Sequence, residues 1–361
     1  MGAALRNTAG DGGLAFVEFY VADVDEQSRW LADRYDFQVV ARNDPEHPDF
    51  RSVAMRHGEI LLVLTEGRRD THPARAYVAR HGDGVANIAI ATRDVEATYS
   101  EAVARGAEPV TAPVAEGGHT TAAVRAFGDV VHTFVARPDD QGDDWCPPGM
   151  STVPGSGGER LGLRQVDHFA VCVEAGRLDA VVGYYESALG FSNIFEERIV
   201  VGAQAMNSKV VRSASGELTF TIIEPDPSRD RGQIDEFLDQ HDGAGVQHVA
   251  FSADNVVRSV GALRDRGVEF LTTPSSYYDL LRQRVAVSSY RVDELRALDI
   301  LVDSDHGGQL FQIFARSVHP RHTFFFEVIE RQGAQTFGSG NIKALYEAVE
   351  AERIQSRDVV G

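Results

Sequence analysis

The chain has 361 residues and is 43% hydrophobic and 25% charged, which fits a soluble globular protein of two or three domains. Its formal net charge of −19 repels phosphate backbones and anionic bilayers, so neither nucleic acid nor a membrane surface is an expected partner. Two cysteines, Cys146 and Cys172, cannot build a disulfide framework. With no apolar signal core at the start and no membrane-length apolar run, the expected location is the reducing cytoplasm.

In chain order, the sequence is written twice. The first unit opens with "FVEFYVADV" from Phe16 and a helical pattern over 24–35. It continues through "HGEILLVLTEG" (57–67), the strand "GVANIAI" from Gly84, a helix over 94–105 and "RGAEPVTAP" (105–113). The second unit repeats these signals as "QVDHFAVCV" from Gln165, a helix over 177–188, "SGELTFTIIEP" (215–225), "GVQHVAF" from Gly245, a helix over 255–266 and "RGVEFLTTP" (266–274). Each half therefore reads as paired βαβββ units, giving an α+β fold. The predicted domains are 1–138 and 161–361, joined by a Pro/Gly/Asp/Ser-rich linker over 139–160. A glycine-punctuated stretch, 333–340, leads to "NIKALYEAVE" (341–350), whose Ile342, Leu345, Tyr346 and Val349 share one helical face. It reads as either a lid or a docked terminal helix.

Three strand-like segments each carry one metal-ligand side chain: His168, His248 and Glu327. A lone strand histidine is ordinarily a core residue. Direct matching of the halves places Phe19 opposite His168 and Asn87 opposite His248, so the scaffold does not require imidazole at either position. A carboxylate inside "TFFFEVIE" is costly to bury unless a cation meets it; Arg321 or Arg331 is the alternative to a metal. Two imidazoles and one carboxylate form the facial triad of non-haem Fe(II), although zinc accepts the same donors. Around them are amides and hydroxyls (Ser208, Thr221, Gln233, Gln247, Gln312, Asn341) and aromatics (Phe314, Phe324, Phe325, Phe326, Phe337). That mixture suits an aromatic substrate with polar ends.

These segments, with "GQIDEFL" (232–238), "GGQLFQIF" (307–314) and "FFFEVIERQGAQTFGSGN" (324–341), resemble the 4-hydroxyphenylpyruvate dioxygenase family over nearly the whole chain. The resemblance implies the vicinal oxygen chelate fold, two domains of paired βαβββ units forming open barrels. It also implies Fe(II) held by His168, His248 and Glu327 in the second barrel, a C-terminal helix over the site and a homodimer. The implied substrates are 4-hydroxyphenylpyruvate and O2, contacted by Ser208, Thr221, Gln233, Gln312, Phe325, Phe337 and Asn341. The family has two branches, ring hydroxylation giving homogentisate and benzylic hydroxylation giving 4-hydroxymandelate. The ring-hydroxylating pattern has asparagine where Ile223 stands, phenylalanine where Ile342 stands and "ALF" where this chain has Ala344-Leu345-Tyr346. These departures, with "VVGAQAMNS" (200–208), resemble the benzylic branch. That branch implies the S product and supply of 4-hydroxyphenylglycine for nonribosomal peptide antibiotics. A homogentisate-forming enzyme, a non-catalytic binding protein of the same fold and a zinc or nickel lyase are the alternatives.

Overall fold

In a computed structural model, residues 9–116, 118–137, 145–154, 161–338, 340, 341 and 343 are described, with only the backbone for 282–284. The first half comprises β1 (Gly13–Tyr20), α1 (Val24–Tyr35), β2 (Gln38–Arg42), β3 (Phe50–His57), β4 (Ile60–Gly67), α2 (Pro73–His81), β5 (Gly84–Thr92), α3 (Val95–Ala104), β6 (Pro109–Glu116), β7 (His119–Arg125) and β8 (Val131–Ala136). After β9 (Ser151–Thr152) come β10 (Leu163–Cys172), α4 (Leu178–Ser187), β11 (Ser192–Val201), β12 (Gln204–Arg212), β13 (Thr219–Pro225), α5 (Gln233–His241), β14 (Gly245–Ala253) and α6 (Val256–Asp265). Then follow α7 (Ser275–Arg284), α8 (Val292–Ala297), β15 (Leu301–Ser304), β16 (Gln309–Phe314) and β17 (Phe325–Gln332).

The four helices expected from periodicity are present as α1, α3, α4 and α6. Three carry side-chain caps: Asp23, Asp94 and Asn255 accept from backbone N–H groups of the first turn. Strand order is β6-β7-β8-β5-β1-β4-β3-β2-β9 in one sheet and β11-β12-β13-β10-β14-β17-β16-β15 in the other. Apart from β9, the two orders are the same pattern, with β1, β4, β5 and β8 standing where β10, β13, β14 and β17 stand. This is the paired βαβββ architecture of the vicinal oxygen chelate fold.

The register revises the direct matching of the halves. Phe16 pairs with Ala89 and His168 with Ala250; Glu18 pairs with Asn87 and Ala170 with His248. The counterpart of His168 is therefore Phe16, not Phe19. Matching the segment from Phe16 directly to that from Gln165 misaligns the strands by three residues. Both halves also keep equivalent bulges, before Phe16 and before His168.

The expected linker contributes to the first half. Ser151–Thr152 adds a strand beside β2. Trp145, 2% exposed, lies among Ala15, Phe16, Ala54, Val63, Ala89 and Val135, with its ring 6.3 Å from that of Phe16. The first half thus fills with an indole the space beside its counterpart of a ligand position. Nearby, Glu18 accepts from Asn87 and Thr65, and Thr65 meets Ser52.

The halves join through aromatic packing. Phe19, Trp30 and Tyr35 pack on Phe326, Phe19 also meets Phe324, and Phe37 meets Phe251. Alternation explains the triple phenylalanine: Phe324 and Phe326 face this joint, whereas Phe325 and Glu327 face the opposite side. Arg321 spans the joint by donating to the carbonyls of Ala79 and Arg80 at the end of α2 and of Gln240 in α5.

Truncating Trp145 to alanine should cost about 3–5 kcal/mol, as for a large buried aromatic. Urea unfolding should show this, whereas a mere tether there would leave the midpoint unchanged.

Candidate metal centre and substrate cavity

Three neighbouring strands, β10, β14 and β17, bring the candidate ligands together. Ala170 lies beside His248, which lies beside Phe325; His168 lies beside Ala250, which lies beside Glu327. Ala250 therefore separates His168 from Glu327 on one rung, and on the other Ala170 flanks the stacked His248 and Phe325. The ligand atoms of His168, His248 and Glu327 all lie within 4.8 Å of one another. Glu327 Oε2 is 3.4 Å from His168 Nε2 and 3.2 Å from His248 Nε2.

Glu327 is 1% exposed, and neither candidate arginine reaches it. Arg331 is committed to Asp167, at 2.8 and 2.9 Å, and Arg321 to the helix ends described above. Burial alone would raise the Glu327 pKa, but the two imidazoles outweigh it and hold the carboxyl below its ordinary value. Burial likewise opposes charge on His168, yet Glu327 and Asp167 push its pKa up to about 9. His248 moves down because burial dominates.

Asp167 completes this arrangement. Its Oδ1 lies 2.8 Å from His168 Nδ1, which directs Nε2 at Glu327. Strict alternation would point Asp167 away from His168. The bulge between Val166 and His168 lets successive residues turn toward each other. Burial works against the Asp167 charge, but His168 and Arg331 hold its carboxyl well below the usual range.

Several buried polar atoms have no partner among the described residues: Thr221 Oγ1, His248 Nδ1, Gln312 Oε1, Glu327 Oε1 and Asn341 Nδ2. Buried polar groups are ordinarily satisfied, so these atoms stand out. Thr221 stands beside Ala170, and Ile223 stands between Cys172 and buried Ser208. Phe325 stacks on His248 at 4.9 Å, and Phe337 meets His168 edge-on at 5.0 Å. Phe314 adds an edge contact to His248 at 5.9 Å. Asn341 accepts from Tyr277 Oη at 3.1 Å. Gly338 crosses over Gln312 at φ +66°, where a Cβ would come within 3.2 Å of Oε1.

Gln233 is the first residue of α5, whose Ile234 and Phe237 share an apolar cluster with Ile223. Ile342 and the helical pattern after it lie outside the described residues. Sequence reading undervalued Asp167 and Arg331. The available signal was an acid directly preceding a candidate ligand, since a ligating imidazole needs a partner for its second nitrogen.

Paired βαβββ units define the vicinal oxygen chelate fold, and two histidines and a glutamate on the second sheet form a group that could hold a metal ion. Residues 5–145 match the model for the N-terminal part of hydroxyphenylpyruvate dioxygenase, and 165–313 match the glyoxalase/bleomycin resistance protein/dioxygenase superfamily. The 4-hydroxyphenylpyruvate dioxygenase of Dictyostelium discoideum is 33% identical, covering 94% of this chain and 98% of its own. That of Yarrowia lipolytica is 30% identical, covering 94% and 92%. Among solved structures, a triple mutant of 4-hydroxymandelate synthase from Streptomyces coelicolor is 43% identical, with a TM-score of 0.87 over 95% of this chain and 99% of that one. The chain belongs to the 4-hydroxyphenylpyruvate dioxygenase family.

Dioxygenases of this family use non-haem iron, and the residues present fit it. Two imidazole nitrogens and a carboxylate oxygen converge, a second carboxylate oxygen is unpartnered, and the ligands occupy one wall, leaving other positions open.

Replacing His168, His248 or Glu327 with alanine should weaken Co(II) binding by more than about 100-fold, beyond the range of outer-shell changes. Calorimetric titration would measure it. Affinity retained in any of the three variants would remove that residue from the ligand set.

Proposed function

We propose that this chain converts 4-hydroxyphenylpyruvate and O2 to (S)-4-hydroxymandelate and CO2. The observation that carries the reading is the aliphatic wall at Ile223, seated between Ser208 and Cys172, where the ring-hydroxylating pattern has an amide. The 43% identity to a 4-hydroxymandelate synthase supports it further.

His168, His248 and Glu327 would hold the iron. When bound, Fe(II) would supply open positions for the keto acid and O2 and a redox-active centre through which electrons of the keto acid reach O2. The protein's contribution is placement. Phe325 and Phe337 flank the centre and offer surfaces for a flat ring. Thr221, Gln312 and Asn341 bring polar atoms with no protein partner, suited to the ring hydroxyl and the acid end. The buried walls exclude water from the reacting carbon.

The outcome then depends on which carbon is nearest the oxidant. A displacement of about 1 Å can alter a rate about a hundredfold, or roughly 2.7 kcal/mol, enough to redirect a branch. Ile223 removes an amide from the wall, and the branched side chain of Ile342 replaces a flat ring. Both changes favour a pose presenting the benzylic C–H rather than the ring carbon.

The second reading is a homogentisate-forming dioxygenase, favoured by the names of the relatives at 30–33% identity. The products are isomers, so mass alone cannot separate them. Anaerobically Fe(II)-loaded protein would be given 4-hydroxyphenylpyruvate and then air, with products assigned by NMR and chiral chromatography. Homogentisate as the main product would overturn the proposal and leave the metal centre intact. The Ile342→Phe variant should divert product toward homogentisate while oxygen uptake persists. An unchanged product would remove Ile342 from control of the branch.

A further inference from the structure

Arg331 connects two parts of the cavity that sequence order leaves unlinked. Its Nε and Nη2 donate to Asp167 at 2.8 and 2.9 Å, and Asp167 holds Nδ1 of His168. Its Nη1 donates to the Thr336 carbonyl at 2.6 Å, and its guanidinium carbon lies 4.8 Å from the Phe337 ring centre. Phe337 returns to His168 edge-on at 5.0 Å. One side chain thus closes a loop of contacts from a candidate ligand to the segment covering it. The ion pair is well shielded, with Arg331 19% and Asp167 13% exposed.

The same segment is held from its other side. Asp305, between β15 and β16, accepts from Gln335 and Thr336 N–H at 2.7 and 2.8 Å. Asp303 accepts from Gly340 N–H at 2.9 Å, and Tyr277 donates to Asn341. These contacts hold Gln335, Thr336, Gly340 and Asn341. Arg331 anchors the same segment through the Thr336 carbonyl and also bonds Asp167, the partner of His168.

We infer that Arg331 is a positioning residue that couples metal binding at His168 to the seating of residues 334–337 over the cavity. Metal on Nε2 favours the His168 orientation held by Asp167, which fixes Arg331 and with it the Thr336 carbonyl and Phe337. By linkage, a seated segment raises metal affinity by the same factor. The guanidinium fork suits this role because it grips both carboxylate oxygens and still has a donor for a carbonyl in another direction. A lysine carries the charge without that geometry.

The inference rests on the metal-centre reading, and the test separates the two. Co(II) serves as the probe, with affinity from calorimetry and ligand geometry from its d–d absorption bands. In the wild-type chain, Co(II) should slow amide hydrogen exchange at Gln335 and Thr336 on the order of tenfold, within the usual range of coupling between sites. Arg331→Lys should bind Co(II) about 10–100-fold more weakly, show altered d–d bands and lose the metal-dependent slowing. Wild-type affinity and wild-type protection in this variant would overturn the coupling. Should the variant fail to fold, the wild-type exchange still decides: bound Co(II) with no slowing at 335 and 336 overturns it. A wild-type chain that binds no Co(II) would instead overturn the metal centre itself.

Discussion

The burial of Glu327 is the constraint on which the molecule depends. A carboxylate taken out of water without a compensating charge costs several kcal/mol or more, and here its close partners are two imidazoles. A divalent cation turns that cost into a binding site. Three strands must hold the ligands together without the cation, and β17 can do so because its opposite face is locked into the aromatic joint. Phe324 and Phe326 are gripped by Phe19, Trp30 and Tyr35 from the other half. The first half, which lacks the three ligands, therefore supports chemistry by immobilising the strand that carries the charge.

Comparison of the halves shows what the scaffold requires and what it permits. The strand order and paired bulges recur in both, so they belong to the frame. The occupants of the ligand positions do not recur. Phe16 and Asn87 replace the imidazoles, and the local polar groups satisfy one another through Glu18, Thr65 and Ser52. In the second half the corresponding cavity keeps its unsatisfied atoms.

Much of this was legible in the chain, because apolar alternation and an internal repeat survive substitution. His168, His248 and Glu327 were legible as polar interruptions of strands whose repeats do without imidazole, and the inward direction of Phe325 followed from a period of two. The register between the halves was not, because a bulge shifts alternation without leaving a composition signal; hence Phe19 was paired with His168 in place of Phe16. Asp167 was obscured for the same reason, since ordinary alternation turns it away from its neighbour. The place of Trp145 was hidden because a Pro/Gly-rich segment gives no periodicity, and burial there is decided by the space the first sheet leaves.

The position of Trp145 also bears on modularity. A chain written twice suggests two units that could be separated, exchanged or recombined at their junction. Here the junction supplies the filling of the first barrel and an edge strand of its sheet, so it belongs to one unit while connecting two. A cut before residue 145 would leave the first barrel hollow and its edge bare, whereas a cut after residue 154 would respect both. Installing a metal centre in the first half would likewise require more than replacing Phe16 and Asn87. The indole would first have to leave, and the connection between the halves would have to be rebuilt around its absence.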